Sequence, residues 1–126
     1  MIRGCGIDLV EISRIEQTLK RFGQRFLERM FTPGEREYCL ARGSPAQSLA
    51  ARFAAKEAVA KALGLGLGQF SWQDIEIVRS GAGRPEVRLQ GVAWTKAQTL
   101  GVERVLVSLS HTHKYAVAQA VAVALV

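Results

Sequence analysis

The spacing of apolar and polar positions changes several times along the chain, and each change marks a new element. "IRGCGIDLV" (2–10) is a short apolar run interrupted by two glycines, and it predicts a first strand. Ser13 and Glu16 follow in the S-x-x-E spacing of a capping box, so a helix is expected to start there. Ile15, Leu19, Phe22 and Phe26 recur at i, i+4, i+7 and i+11 and share one face. Arg14, Thr18, Arg21 and Arg25 form a second stripe one residue behind, a basic rail, and Gly23 is placed to break or bend the helix.

"FTPGEREYCLARG" (31–43) predicts a turn at Pro33 and Gly34, then a short helix ending near Gly43. Ser44 as N-cap, Pro45 in the first helical position and Gln47 in the third start a long helix, expected over 45–63 with Gly64 as its stop. "GLGLGQ" (64–69) is a turn, and "DIEIV" (74–78) and "EVRL" (86–89) are short strands separated by the glycine and proline turn "RSGAGRP". A short helix over 91–101 and a strand over 102–110 come next. The last segment, "YAVAQAVAVAL", has the alanine content of a helix. Its alanines at 116, 118, 120, 122 and 124 nevertheless alternate with larger residues. Period two predicts a strand whose small face lets another element come close, with "HTHK" as the hairpin turn before it. The expected class is α+β, an antiparallel sheet packed against the long helix, in a single domain spanning 1–126.

With 126 residues and 48% hydrophobic content, the chain is long enough for one domain with a real core. Seventeen basic against eleven acidic residues give a formal charge of +6, which favours an anionic partner: nucleic acid, a phosphorylated small molecule or an acidic protein. Cys5 and Cys39 form no CxxC pair, which fits a reducing cytoplasm. "MIRGCGIDLV" lacks the features of a signal peptide, and the apolar tail is shorter than the roughly 20 residues of a membrane helix. A soluble intracellular protein is expected.

Two carboxylates stand out. Asp8 lies inside an apolar strand, where an unpaired carboxylate is costly; it either caps a turn, pairs with an arginine or serves a site. Glu57 sits in "RFAAKEAVAKALG" (52–64), a helix apolar almost all round, among Arg52, Lys56 and Lys61. Its i, i+4 pairing with Lys61 explains little, since on an exposed helix it contributes only about 0.2–0.5 kcal/mol. Charges on such a helix belong at a lined cleft or an interface. Two semi-buried carboxylates with cations nearby suit a hard metal bridged to phosphate oxygens, as magnesium binds, with Arg52, Lys56 and Lys61 available to neutralise phosphate. His111 and His113 make a weak metal case, because neither cysteine is spaced to complete it. "GLGLG" lacks the GK[ST] end of a phosphate-binding loop and follows a helix instead of a strand.

"GIDLVEISRI", "RFAAKEAVAKALGLGLG", "GRP" and "SLSHTHKYAVAQA", in this order and spacing, resemble the small bacterial holo-acyl-carrier-protein synthases along the whole chain. The resemblance implies a 4'-phosphopantetheinyl transferase fold and transfer of the 4'-phosphopantetheine arm of coenzyme A to a serine of an acyl carrier protein, in support of fatty acid synthesis. Adenosine 3',5'-bisphosphate would be released. It implies Mg2+ held by Asp8 and Glu57, Glu57 also as candidate base, and Lys61 on the pyrophosphate. Arg52, His111 and Thr112 would bind the 3'-phosphate across a subunit boundary of a homotrimer, with Arg84 and Pro85 near the adenine. Arg14, Arg21 and Arg25 would dock the acidic helix of the carrier. Glu35 ranks second as base. The rival expectation is a non-catalytic basic module that binds RNA or another polyanion along the Arg14 rail, although Phe22 and Phe26 belong to the apolar stripe and are poorly placed to stack bases. The same chemistry on a polyketide or peptide carrier stays open.

Overall fold

The computed structural model describes residues 1–79 and 83–125. Its elements are β1 (Ile2–Glu11), α1 (Ile12–Phe22), α2 (Gln24–Met30), α3 (Pro33–Leu40) and α4 (Pro45–Ala62), then a 3-10 turn (Trp72–Asp74), β2 (Ile75–Val78), β3 (Glu86–Leu89), α5 (Gly91–Thr99), β4 (Arg104–His111) and β5 (Tyr115–Val123). Residues 80–82 of the expected "RSGAGRP" turn, and Val126, lie outside the described residues.

The expected single sheet is two antiparallel sheets, one ordered β1-β5-β4 and one a β2-β3 pair. The closing segment is a strand, as period two requires. Ala116, Ala118, Ala120 and Ala122 are buried to 1% exposure or less, and this small face meets α4, itself lined with buried Ala54, Ala55, Ala58 and Ala62. Small side chains on both partners let helix and sheet approach closely. The approach is closest at β1, where a Cβ on Gly4 would lie 2.1 Å from the Ala62 carbonyl oxygen and one on Gly6 would lie 2.1 Å from that of Ala58. Only glycine fits there. A second cluster packs Ile12, Ile15, Leu27, Met30 and Phe31 against Cys39, Leu49 and Ala50 at the N-terminal half of α4.

Two helix starts, those of α1 and α3, differ from expectation, while the break expected at Gly23 is present. Strand β1 runs straight into α1, which starts at Ile12 with Glu11 as N-cap and no side-chain cap, so Ser13 and Glu16 form no capping box. The first free amide, Ile12 N, donates instead to the Lys114 carbonyl of the β4–β5 hairpin at 2.9 Å. Gly23, at φ 54°, ends α1 and opens α2. The apolar repeat restarts there, leaving Phe22 exposed while Leu27 and Met30 are buried. Pro33 and Gly34 form the first turn of α3 instead of a separate turn: Thr32 Oγ1 accepts from Glu35 N, and a Glu35 oxygen accepts from Thr32 N. This is a working capping box at the start of α3, with Pro at its first helical position. Ser44 stands at the N-cap of α4 as expected, but its hydroxyl makes no cap bond.

Candidate active site

Along β1 the inward positions are Gly4, Gly6, Asp8 and Val10, while Ile7 and Leu9 face outward. Asp8 pairs in register with Ala118, whose side chain is buried towards α4, so the carboxylate points at the helix. It is the first inward residue after the glycine contact that has room for a side chain. Glu57 reaches it from α4, and both line a cleft of about 410 Å³ with Arg14, Thr18, Phe26, Met30 and Phe53. Lys61, one turn beyond Glu57, places Nζ 3.3 Å from Asp8 Oδ1 and donates to the Ile7 carbonyl at 3.0 Å. The structure thus brings Asp8, Glu57 and Lys61 together.

The electrostatics of this pair are unbalanced. Asp8 is 12% exposed, and its Oδ2 is buried without a hydrogen-bond partner. Burial, reinforced by the Asp8 carboxylate beside it and only partly offset by Lys61, pushes the Glu57 carboxyl up from 4.5 to about 7. Two carboxylates sharing one mouth in this way repel one another when both are ionised. No group of three or more His, Cys, Asp or Glu side chains gathers among the described residues, so Asp8 and Glu57 stand as a pair of oxygen-bearing groups.

Arg52 lies five residues before Glu57, which on a helix turns it about 140° away around the axis. It opens on a different cleft of about 500 Å³, lined by Tyr38, Arg42, Ser48, Arg79, Ser110 and His111 among others. Arg52 is 4% exposed; Nη1 donates weakly to Ser48 Oγ at 3.4 Å, and Nε is buried with no partner. Among the described residues no carboxylate lines this cleft. Burial pushes the Tyr38 phenol up, but the Arg42 hydrogen bond and the charges of Arg42, Arg52 and Arg79 outweigh it and hold its pKa below the usual 10.0. Arg52 and His111 therefore share one anion-suited cleft that Asp8 and Glu57 do not line. Thr112 stands next in the hairpin turn, where its hydroxyl accepts from Lys114 N and Tyr115 N. Arg84 and Pro85 line a third cleft, of about 290 Å³, with Arg104 and Leu106.

Gly23 splits the basic rail. Arg14 lies in the Asp8 cleft, Arg21 stacks over Phe22 at 5.1 Å, and Arg25 lines a neighbouring cleft of about 350 Å³ with Phe22, Arg29 and Trp72. Thr18, Phe26 and Met30 line both clefts, so the Arg25 surface leads directly to Asp8 and Glu57.

Two sequence expectations are corrected. Lys56 is fully buried and unavailable to phosphate, because its Nζ lies 2.6 Å from Glu35 Oε1 and donates to the carbonyls of Trp72 and Ile75. Burial lowers its pKa, with the Glu35 charge opposing. Glu35 is equally committed: besides Lys56 it accepts from Thr32 N and Ile77 N, each at 2.9 Å, and at 1% exposure it cannot serve as the base. Tyr38, Arg42, Arg79 and Arg29 were missed as site residues. A usable signal existed for two of them, since Tyr38 and Arg42 are spaced i, i+4.

The model of the 4'-phosphopantetheinyl transferase superfamily matches residues 4–120. The holo-[acyl-carrier-protein] synthase of Moorella thermoacetica is 60% identical over 116 residues, covering 92% of this chain and 90% of that one. That of Koribacter versatilis is 48% identical over 96% and 98% of the two chains. Among solved structures, the Neisseria meningitidis holo-[acyl-carrier-protein] synthase superposes with a TM-score of 0.87 at 39% identity, covering 97% of this chain and 98% of its own. The Helicobacter pylori synthase, in complex with coenzyme A, gives 0.83 at 37% identity over 94% and 99%. With the whole fold and most of its length in common with these proteins, the chain belongs to the 4'-phosphopantetheinyl transferase superfamily, among the holo-[acyl-carrier-protein] synthases.

Proposed function

We propose that this chain transfers the 4'-phosphopantetheine group of coenzyme A to a serine hydroxyl of an apo acyl carrier protein, giving the holo carrier and adenosine 3',5'-bisphosphate, in support of fatty acid synthesis. The observation that carries the reading is the Asp8 and Glu57 pair at a cleft continuous with a basic, half-apolar surface. The orphaned Asp8 Oδ2 and the raised Glu57 carboxyl fit a divalent cation that takes one or two protein carboxylates. Asp8 and Glu57 would hold Mg2+, which when bound supplies charge neutralisation at the pyrophosphate of the donor.

The reaction is a displacement at the phosphorus that carries pantetheine. The serine oxygen forms the new P–O bond, and the P–O bond to adenosine 3',5'-bisphosphate breaks. Lys61, with its ammonium exposed at the rim, offsets charge on the donor phosphates. Glu57 lies where the carrier serine would enter and is the candidate to accept its proton, Glu35 being locked against Lys56. Arg14, Arg21 and Arg25 offer cations to an acidic carrier helix, and the cleft between Phe22, Phe26 and Trp72 offers apolar contact beside them.

The donor site needs two copies of the chain in this reading. Arg52 with His111, and Asp8 with Glu57, open on separate clefts of one protomer, while the outer face of the β1-β5-β4 sheet exposes Ile7, Leu9 and Leu106. Packing those faces in a homotrimer would cover the apolar surface and bring the phosphate cleft of one protomer to the carboxylates of its neighbour.

The test is the intact mass of an apo acyl carrier protein after incubation with this chain, coenzyme A and Mg2+, with EDTA as control. A phosphopantetheine-sized gain that requires the metal supports the reading. No gain with several carriers would return the basic rail to polyanion binding.

A further inference from the structure

The cleft around Arg52 contains an arrangement that phosphate binding alone does not require. The guanidinium carbons of Arg42 and Arg52 lie 4.4 and 4.0 Å from the centre of the same Tyr38 ring, and Arg42 also donates a hydrogen bond to the Tyr38 hydroxyl. The two cations come from different elements: Arg42 follows α3, and Arg52 lies in α4. They repel one another, and among the described residues no carboxylate in the cleft balances them. One is exposed and long, with rotamer freedom to lose; the other is buried with an unpartnered Nε. An aromatic face attracts both and fixes their separation.

We infer that Tyr38 is the positioning residue of this cleft, holding Arg42 and Arg52 as a preformed pair of donors for a phosphate monoester. It thereby sets the preference for a donor that carries a 3'-phosphate. This rests on the reading that the cleft receives that phosphate. Tyr38 need not touch the ligand: its ring bears both guanidiniums, and its hydroxyl keeps Arg42 from swinging into solvent. A leucine would keep apolar contact with the neighbouring cluster but would hold neither cation. Ordering Arg42 before the ligand arrives spares the binding step that loss of freedom, so the benefit falls only on ligands with a phosphate to engage.

The experiment measures KM and kcat for coenzyme A and for 3'-dephospho-coenzyme A with the wild-type chain, Tyr38→Leu and Tyr38→Phe. For the wild type, a lower KM for coenzyme A is expected; equal values would overturn the placement of the phosphate before any variant is considered. Tyr38→Leu should raise the KM for coenzyme A about tenfold, with the KM for the dephospho compound and kcat held within about twofold. Tyr38→Phe keeps the stacking surface and loses only the Arg42 bond, so a rise of about threefold confined to coenzyme A is expected. Should the leucine variant not fold, the phenylalanine variant decides alone. Equal rises for both donors would mean a merely structural tyrosine, and no rise for coenzyme A would remove the role altogether.

Discussion

Replacing Lys56 with Met keeps the long stem of the side chain and removes the charge that Glu35 faces at 2.6 Å. Both partners are fully shielded, so solvent cannot compensate the loss. Breaking a buried pair from one side destabilises by about 3–5 kcal/mol, because a carboxylate is left without its counter-charge. Here the carbonyls of Trp72 and Ile75 lose their Lys56 donor as well. Glu35 keeps its bonds from Thr32 N and Ile77 N, which moves the expectation to the lower half of that range, about 3–4 kcal/mol. For a chain of this size that is a fall in Tm of about 10–15 °C. Circular dichroism melts and urea titrations at fixed protein concentration would measure it. The double variant Glu35→Gln/Lys56→Met removes the stranded charge and should recover about 1–2 kcal/mol relative to the single one. A single variant within about 1 kcal/mol of wild type, or a double variant with no recovery, would refute the view that this pair ties α3, α4 and β2 together.

Gly6→Ala should destabilise by about 3 kcal/mol, because its Cβ would strike the Ala58 carbonyl at 2.1 Å and push α4 off β1; a melt within a few degrees of wild type would show that the contact yields. Glu57 makes a pH prediction for the metal-free chain. Its carboxyl sits at about 7 folded against 4.5 ordinarily, so the protonated form favours folding, and that contribution is complete below pH 4.5 and lost as pH rises through 7. A shift of that size is about 3 kcal/mol for a secluded group, and screening of this half-exposed one brings it to about 1 kcal/mol. Mg2+ should therefore raise Tm more at pH 8 than at pH 5, and equal shifts would count against Asp8 and Glu57 as a cation site. Arg21→Glu with Arg25→Glu should raise the KM for the carrier about tenfold, with the KM for coenzyme A as control, and wild-type KM for the carrier should climb with salt.

Much of this was readable because local chemistry and tertiary structure agree. The strict alanine alternation in 115–125 marked a close-packed strand despite helical propensity, and the surroundings of Glu57 marked a cleft. Asp8 was legible for the same reason: a carboxylate amid apolar alternation needs a partner. The sequence was silent wherever a bond crosses the fold. Ser13 and Glu16 have the spacing of a cap, but the helix starts before them, at Ile12, whose amide is taken by the Lys114 carbonyl, 102 positions further along the chain. Glu35 and Lys56 looked like site residues because charge in a helix pattern carries no sign of which face is dry; only the packing of β2 and the 3-10 turn on α4 reveals that they neutralise each other. For Tyr38 the sequence offered only the i, i+4 spacing to Arg42, and the contact with Arg52 crosses from α3 to α4 and left no local sign.

Helix α4 works as an indexed shaft. Arg52 faces the cleft it shares with Tyr38 and His111, Phe53 and Glu57 the carboxylate cleft, Lys56 the buried Glu35, and Ala58 and Ala62 the glycines of β1. Each residue added or removed within it would turn everything beyond by about 100°. One inserted alanine between Ala55 and Lys56 would send the ammonium away from Glu35 and Glu57 away from Asp8 in one step. The segment can therefore drift by exchange of one residue for another, but not by change of length. The turn at 64–71 has no such obligation, and differences in length among related chains should collect there, never between Arg52 and Ala62.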